Sequence, residues 1–220
     1  MKPLIVLVTT DQETNAQLSK LGVGLLEMRV DLFSDCSLSF AIALFQQRRQ
    51  LKVPLLLTVR NDKKEGAQSA MTDTQKWALL EGLLPLCEWV DIELSSQLCL
   101  KTIRLARSFK KKVIVSAHDF KATPAKIEVL YRQAKTVKAD AVKFAFFAKD
   151  EIDLLRLIEF TRDHKKEPVI TMSVGPLGPL SRLVLPAFGS RWVYTFLNNP
   201  TAPGQMDIKT LKRLMSLASC

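Results

Sequence analysis

Histidine and cysteine are scarce in this chain of 220 residues, which has two histidines and four cysteines. No two cysteines have the Cys-x-x-Cys spacing of a structural zinc site, so the sequence predicts no bound metal. Cys87 and Cys99 lie beside apolar residues, in Leu86-Cys87 and Leu98-Cys99-Leu100, which is typical of reduced thiols in a protein core. We therefore expect a cytoplasmic protein without a metal site.

Long apolar runs are missing as well. The apolar segment Leu4–Val8 is too short to cross a bilayer and lacks a small-residue cleavage pattern, so we expect neither a membrane span nor a signal peptide. No low-complexity linker divides the chain. With 47% hydrophobic and 25% charged residues, the composition is that of a globular protein, and we expect one compact domain over residues 1–220.

Short apolar runs alternate with segments of helix length. The predicted helices cover residues 11–20, 37–50, 73–87, 96–110, 124–137, 149–164, 179–188 and 207–217. The predicted strands are Leu4–Thr9, Gly24–Asp31, Pro54–Arg60, Trp89–Leu94, Val113–His118, Ala141–Phe146, Val169–Met172 and Trp192–Phe196. Strands that alternate with helices pair in parallel, and eight such units predict an α/β fold of the (β/α)8 TIM barrel type.

A doubly wound open sheet is the alternative fold. It would be expected to have a glycine-rich turn after its first strand. The first turn here is Thr9-Thr10-Asp11-Gln12, which contains no glycine, so the barrel is favoured.

Charged residues interrupt the predicted strands. Side chains alternate between the two faces of a strand, and the apolar set must face the helices, so the charged set is predicted to point into the barrel. Buried ions are costly unless they are paired, and a purely structural ion network is one interpretation. Barrel enzymes place their chemistry at the carboxyl ends of the strands, which favours an active site. The set comprises Glu27, Arg29, Asp31, Asp91, Glu93 and Lys143, with Arg60 and His118 at strand ends.

Lys143 is the most specific of these residues. It stands in mid-strand between Ala141 and Ala145, where burial disfavours the charged amine. A neutral amine is the nucleophile that forms Schiff bases with carbonyls. His118 ends the preceding strand and is a candidate proton shuttle. The second histidine, His164, lies at a polar helix end and is expected to be solvated.

Two glycine-containing loops follow the seventh and eighth strands, at residues 173–182 and 201–205. Barrels often bind a phosphate group at this position. Arg182, in the first turn of its helix, is equally suited to a carboxylate. The residues alone leave both anions open.

Together, these segments resemble the type I 3-dehydroquinate dehydratase (3-dehydroquinase) family of the shikimate pathway. Lys143 stands where that family has its Schiff-base lysine, and the matches follow the family order from residue 27 to residue 205. The matching segments are Glu27-Met28-Arg29-Val30-Asp31 for E-x-R-x-D, Thr58-Val59-Arg60, Val90-Asp91-Ile92-Glu93-Leu94, Ser116-Ala117-His118-Asp119-Phe120, Gly178-Pro179-Leu180-Ser181-Arg182 for G-x-x-S-R, and Ala202-Pro203-Gly204-Gln205 for A-P-G-Q.

The resemblance implies a hydro-lyase that needs no cofactor and converts 3-dehydroquinate into 3-dehydroshikimate and water. Lys143 would form an imine with the substrate ketone, and His118 would act as general acid and base, with Glu65 as its partner. Arg182 would hold the substrate carboxylate. Glu27, Arg60 and Gln205 would bind ring hydroxyls, and the hydroxyl of Thr201 would form a hydrogen bond to the substrate. Arg29 completes the binding set, and the supporting residues are Asp31, Asp91, Glu93 and Met172. Homodimers are common in the family.

Two other functions are alternatives. A class I aldolase acting on a sugar phosphate would also use a Schiff-base lysine, but the E-x-R-x-D and A-P-G-Q segments do not fit it. A nucleic-acid-binding module is supported only by the net charge of +10. Ten basic residues collect near predicted helix C-termini, at the end of the barrel opposite the site, so we expect a solvated surface and no nucleic-acid partner. They are Arg48, Arg49, Lys52, Lys110, Lys111, Lys112, Lys135, Lys138, Lys165 and Lys166.

Overall fold

The computed structural model describes residues 2–66 and 71–217, apart from the side chain of Glu65. Its strands are β1 Leu4–Thr9, β2 Leu25–Arg29, β3 Leu55–Thr58, β4 Trp89–Glu93, β5 Lys112–Asp119, β6 Ala141–Phe147, β7 Val169–Val174 and β8 Trp192–Phe196. Its helices are α1 Asn15–Leu18, α2 Leu38–Arg49, α3 Asp73–Leu83, α4 Cys99–Ser108, α5 Ile127–Thr136, α6 Glu151–Asp163, α7 Gly178–Phe188 and α8 Ile208–Leu217.

The strands form one parallel sheet in the order β7-β6-β5-β4-β3-β2-β1-β8. The seam between β7 and β8 is joined through Ser190, whose hydroxyl accepts from the amide of Thr171 at 3.0 Å and donates to its carbonyl at 3.1 Å. The backbone amide of Arg191 adds a bond to the carbonyl of Val169 at 2.9 Å. The predicted (β/α)8 barrel is therefore confirmed, and the open sheet is excluded.

Each strand separates two apolar clusters. One face packs against the helices, and the cluster there includes Leu26, Met28, Val90, Ile92 and Phe144. The other face fills the lower barrel interior with residues such as Val6, Leu25, Ile114 and Ile170. The charged residues of β2, β4 and β6 share the parity of the interior face, as the alternation predicted.

Element ends differ from the predictions where local hydrogen bonds compete. The predicted helix over 11–20 shortens to α1, because the Thr14–Gln17 capping box starts it late. The second strand ends at Arg29, and Val30–Leu32 form a 3-10 turn. Asp31 therefore lies on this turn and not on the strand. Its carboxylate accepts two bonds from Arg29, at 3.0 and 2.7 Å, and one from the amide of Arg60 at 3.2 Å.

Two residues expected at the solvated surface are in fact enclosed. Arg48 is only 1% exposed, because its guanidinium donates to Asn15 and to the carbonyls of Thr10 and Glu13. The other basic residues of that set stay at or near the surface. The His164 side chain is 19% exposed.

His164 packs against aromatic rings at the helix end. Its ring centroid lies 4.1 Å from that of Tyr131 and 4.7 Å from that of Phe160, and Nε2 lies 2.8 Å from Glu128. The expectation of a solvated His164 is therefore wrong, since aromatic neighbours on two helices enclose it.

Cysteines 36, 87 and 99 are free thiols, and Cys87 and Cys99 are buried as expected. Burial raises the pKa of Cys87 to about 12 and that of Cys99 to about 11. Among the described helices, none combines the length and the apolar character that a membrane span requires.

Candidate active site

Lys143 lies in the middle of β6 with its side chain in the barrel interior. Its Cα is paired with Ser116 of β5, and the next inward pair along the two strands is His118 with Ala145. Small alanines on either side leave room for the long side chain, which is only 5% exposed. The amine and His118 both line a cleft at the carboxyl ends of the strands.

Two carboxylates accept hydrogen bonds from the Lys143 amine. Nζ lies 3.0 Å from Oδ2 of Asp91 and 3.4 Å from Oε1 of Glu27. The same Glu27 oxygen accepts from the hydroxyl of Thr58 at 2.9 Å, and Asp91 also accepts from Ser116 at 2.6 Å. The amine is thus held by carboxylates from β2 and β4, and hydroxyls from β3 and β5 hold those carboxylates in turn.

The carboxylates belong to a longer series of paired charges. Arg60 reaches Asp91 at 2.7 Å and Glu93 at 3.0 Å, and Glu93 reaches Lys76 at 2.5 Å. Positive and negative groups alternate along the series, which we call the ion chain. In order it consists of Lys76, Glu93, Arg60, Asp91, Lys143 and Glu27.

Ion pairing determines the protonation state of the two acidic residues of β4, Asp91 and Glu93. Burial by itself would raise the pKa of Asp91, but Arg60 and Lys143 hold it well below its ordinary value. For Glu93, burial is likewise outweighed by Arg60 and Lys76, and its pKa is lowered. Both groups are therefore carboxylates at neutral pH, despite their burial.

Lys76 is a member of the ion chain that the sequence reasoning missed. It lies on α3 with 0% of its surface exposed, and its amine also donates to Asn61 at 3.1 Å. A signal was present, because Lys76 shares the helical spacing of the buried residues Leu79, Leu80 and Leu83. A lysine on an apolar stripe needs an acidic partner inside the protein.

Arg29 lies at the end of β2 and lines the cleft. Its bidentate pair with Asp31 outweighs the effect of burial and raises the pKa of Arg29. A weak bond of 3.4 Å links it to the carbonyl of Gly66, at the edge of the described part of the loop after β3. Arg29 is therefore positioned by Asp31.

The two glycine loops are joined by Arg182. One nitrogen of its guanidinium, Nη1, donates to the carbonyls of Ser173, Gly178 and Gly204 at 2.8 to 3.0 Å. Gly204 has a φ of +75°, and a Cβ there would lie 2.1 Å from the carbonyl oxygen of Gly175. Only glycine allows this approach of the two loops.

Arg182 is a charged side chain in a buried position. It is 3% exposed and lines the cleft, and burial lowers its pKa to about 10. Among the described side chains, no carboxylate lies within ion-pair distance of it. A buried cation without a protein counterion is suited to bind an anionic ligand.

The remaining predicted residues lie around the same cleft. Gln205 accepts from the amide and the hydroxyl of Thr201 through Oε1, at 2.8 and 3.1 Å, which leaves its amide nitrogen to donate. Met172 packs in the barrel interior and lines the cleft with them. The Glu65 side chain lies outside the described residues, so its role stays a prediction. The cleft therefore brings together Glu27, Arg29, Arg60, His118, Lys143, Met172, Arg182, Thr201 and Gln205.

A buried lysine and a histidine therefore line one cleft with an arginine that has no carboxylate partner among the described side chains. The model of the type I 3-dehydroquinase family matches residues 4–219. The chain belongs to this family.

Individual relatives cover nearly the whole chain. The 3-dehydroquinate dehydratase of Methanocella arvoryzae is 32% identical over 210 residues, which are 95% of this chain and 94% of the relative. The crystal structure of the enzyme from Geobacillus kaustophilus superposes with a TM-score of 0.88 at 27% identity, and covers 99% of this chain and 91% of its own. The family consists of hydro-lyases, and this chain is an enzyme of that class.

A third relative adds a chemical observation. The crystal structure of the type I 3-dehydroquinate dehydratase from Clostridium difficile contains covalently modified comenic acid. It superposes with a TM-score of 0.85 at 27% identity, over 98% of this chain and 92% of its own.

Proposed function

We propose that this chain dehydrates 3-dehydroquinate to 3-dehydroshikimate through an imine formed on Lys143. The observation that carries the proposal is the position of the Lys143 amine. It is almost fully buried, lines the cleft, and is held at 3.0 Å by Asp91. An amine in such a place is suited to attack a ketone bound above it.

The Lys143 ammonium first passes one proton to His118. The neutral amine then adds to the C3 ketone, and the resulting carbinolamine takes the proton back as it loses one water to form an iminium. The positive nitrogen then withdraws electrons from the adjacent C2–H bond, so the proton can be removed and an enamine formed. The enamine expels the C1 hydroxyl as a second water. One water then hydrolyses the product imine, so that the net change is the loss of one water.

His118 is the proposed proton carrier. It lies on β5 one inward position beyond Ser116, the residue paired with Lys143, and it lines the same cleft. A single imidazole can remove the C2 proton and then deliver it to the C1 hydroxyl, which gives a syn elimination. Glu65 is proposed as the partner that orients the imidazole.

Arg182 is proposed to bind the substrate carboxylate. Its burial without a carboxylate partner among the described side chains supports an anion as its ligand. Nη1 is used by three carbonyls of the two glycine loops, so the guanidinium is fixed before the substrate arrives. The carboxylate would then set the ring in register with Lys143.

The hydroxyl groups of the ring are proposed to bind Glu27, Arg60, Thr201 and Gln205. Both described bonds to Glu27 use Oε1, so Oε2 can accept from a substrate hydroxyl. The amide nitrogen of Gln205 provides a further donor in the cleft. Arg29, ordered by Asp31, extends the set, and Met172 contributes an apolar surface.

Borohydride trapping tests the proposal. Reduction in the presence of 3-dehydroquinate should leave a covalent adduct on Lys143, located by mass spectrometry of peptides. Lys143→Ala should remain folded, form no adduct and lose nearly all turnover. His118→Ala should lose most turnover while still forming the adduct. A fully active enzyme that yields no adduct on Lys143 would show the imine route to be wrong.

The setting of the reaction is part of the same proposal. The family acts in the shikimate pathway, and we propose that this chain acts there, in the cytoplasm, where the free thiols of Cys87 and Cys99 would stay reduced. We also propose a homodimer, because homodimers are common in the family. Analytical ultracentrifugation would measure the oligomeric state.

A further inference from the structure

Tyr194 lies beneath the catalytic lysine. It projects from β8 into the barrel interior and is 3% exposed. The Nζ atom of Lys143 lies over its ring, 4.2 Å from the centroid, and the ring forms part of the cleft. The alternation of β8 places Tyr194 inside, but nothing in the sequence pattern linked it to Lys143.

Imine formation changes the number of hydrogen bonds that the lysine nitrogen can donate. The ammonium has three N–H groups, and two carboxylate oxygens accept from it here. A protonated imine has a single N–H group, so it cannot donate to both Asp91 and Glu27. The positive charge persists at the nitrogen while its hydrogen bonds decrease.

A ring face interacts with a cation without requiring an N–H group. The contact depends on the distance between the positive nitrogen and the π face, and it is strongest where water is excluded. We propose that the ring of Tyr194 is a catalytic group that stabilises the iminium on Lys143 through its π face. This inference rests on the imine route proposed above.

The surroundings keep the phenol neutral. Burial, with Glu27 and Asp91 adding to it, raises the pKa of Tyr194 well above its ordinary value. The hydroxyl has no hydrogen-bond partner among the described residues. The ring therefore acts as a neutral, electron-rich surface, and the proposal assigns the effect to the ring and not to the hydroxyl.

Three variants separate the ring from the hydroxyl and from general packing. Tyr194→Leu removes the ring, and Tyr194→Phe keeps it. Tyr131→Leu is the matched control, because Tyr131 is the other tyrosine of the chain and is buried against Phe160 on the helical layer. The readout is the concentration of an equilibrated mixture of substrate and product that gives half-maximal borohydride-trapped adduct.

The expected results follow from the strength of a desolvated cation–π contact. We expect the half-maximal concentration to rise about tenfold to thirtyfold in Tyr194→Leu and no more than about threefold in Tyr194→Phe. Tyr131→Leu should match the wild type. Quinate, which has a hydroxyl in place of the ketone and cannot form an imine, should bind Tyr194→Leu as it binds the wild type. A parallel loss of quinate binding would assign Tyr194 to packing and overturn the inference.

A second measurement avoids variants that fail to fold. Phenylalanines with one, two and three ring fluorines at position 194 keep the ring shape and progressively weaken its negative face. The half-maximal concentration should rise with each fluorine, and a flat series would overturn the inference. Absence of any adduct in the wild type would instead refute the imine route itself, before any variant is compared.

Discussion

Replacing Lys76 with methionine tests the ion chain at the end farthest from Lys143. The Lys76 amine is fully buried and lies 2.5 Å from Glu93. Removing one partner of a buried ion pair costs about 3–5 kcal/mol, because the other charge is left without its counterion. Arg60 remains beside Glu93 at 3.0 Å, so we expect the lower end of that range, about 3 kcal/mol in the free energy of unfolding at pH 7.

The effect of this variant should depend on pH in a defined direction. Burial would raise the pKa of Glu93, but Arg60 and Lys76 lower it below its ordinary value of 4.5. A lowered pKa in the folded state stabilises the protein above the unfolded value, and this stabilisation is lost as the pH falls through the folded value. Without Lys76 the lowering is smaller. The difference in unfolding free energy between wild type and variant should therefore shrink as the pH falls below 4.5.

Urea unfolding followed by tryptophan fluorescence measures both effects, at neutral pH and in acid. Lys209→Met is the control, since this side chain is exposed on α8 and should change stability by no more than about 0.5 kcal/mol. The reasoning is refuted if Lys76→Met costs no more than this control. It is also refuted if the difference between wild type and Lys76→Met persists unchanged in acid.

Three other perturbations test the loops, the seam and the core. Gly204→Ala should raise KM and lower the melting temperature, because its Cβ would collide with the carbonyl of Gly175 at a positive φ; steady-state kinetics and calorimetry measure the two effects. Ser190→Ala should destabilise the fold by about 1–3 kcal/mol in urea unfolding, because it leaves the buried amide and carbonyl of Thr171 without their partner. Cys87 should resist iodoacetamide at pH 8 in the folded enzyme and react after unfolding, since burial raises its pKa to about 12, and peptide mass spectrometry shows this.

The barrel and the inward charges were predictable because both depend on local periodicity. Alternation along β2 separates Met28 from Glu27 and Arg29, whatever the rest of the fold does. The same rule places Lys143 inside from its neighbours alone. The ends of elements were less predictable, because Asp31 leaves the strand to pair with Arg29 and Arg60.

The partners of the charged residues could not be predicted from the chain alone. Lys76 contacts Glu93, which is 17 positions away in the sequence, and Arg48 contacts Thr10, which is 38 positions away. Local sequence patterns do not reveal contacts between residues so far apart. The contact between Tyr194 and Lys143 depends on the layering of side chains from β6 and β8. Such contacts follow from the closed barrel and become visible only in three dimensions.

Stability alone does not explain the ion chain, because well-packed apolar residues in its place would often stabilise a protein as much or more. The ion chain has a chemical use if the hydrogen bonds of its members must rearrange during turnover. When the lysine nitrogen forms an imine, Asp91 can lose its bond from Lys143 but keeps those from Arg60 and Ser116, at 2.7 and 2.6 Å. Glu27 likewise keeps its bond from Thr58. Neither carboxylate is left without a hydrogen bond when the reacting nitrogen exchanges its own hydrogen bonds for a covalent bond.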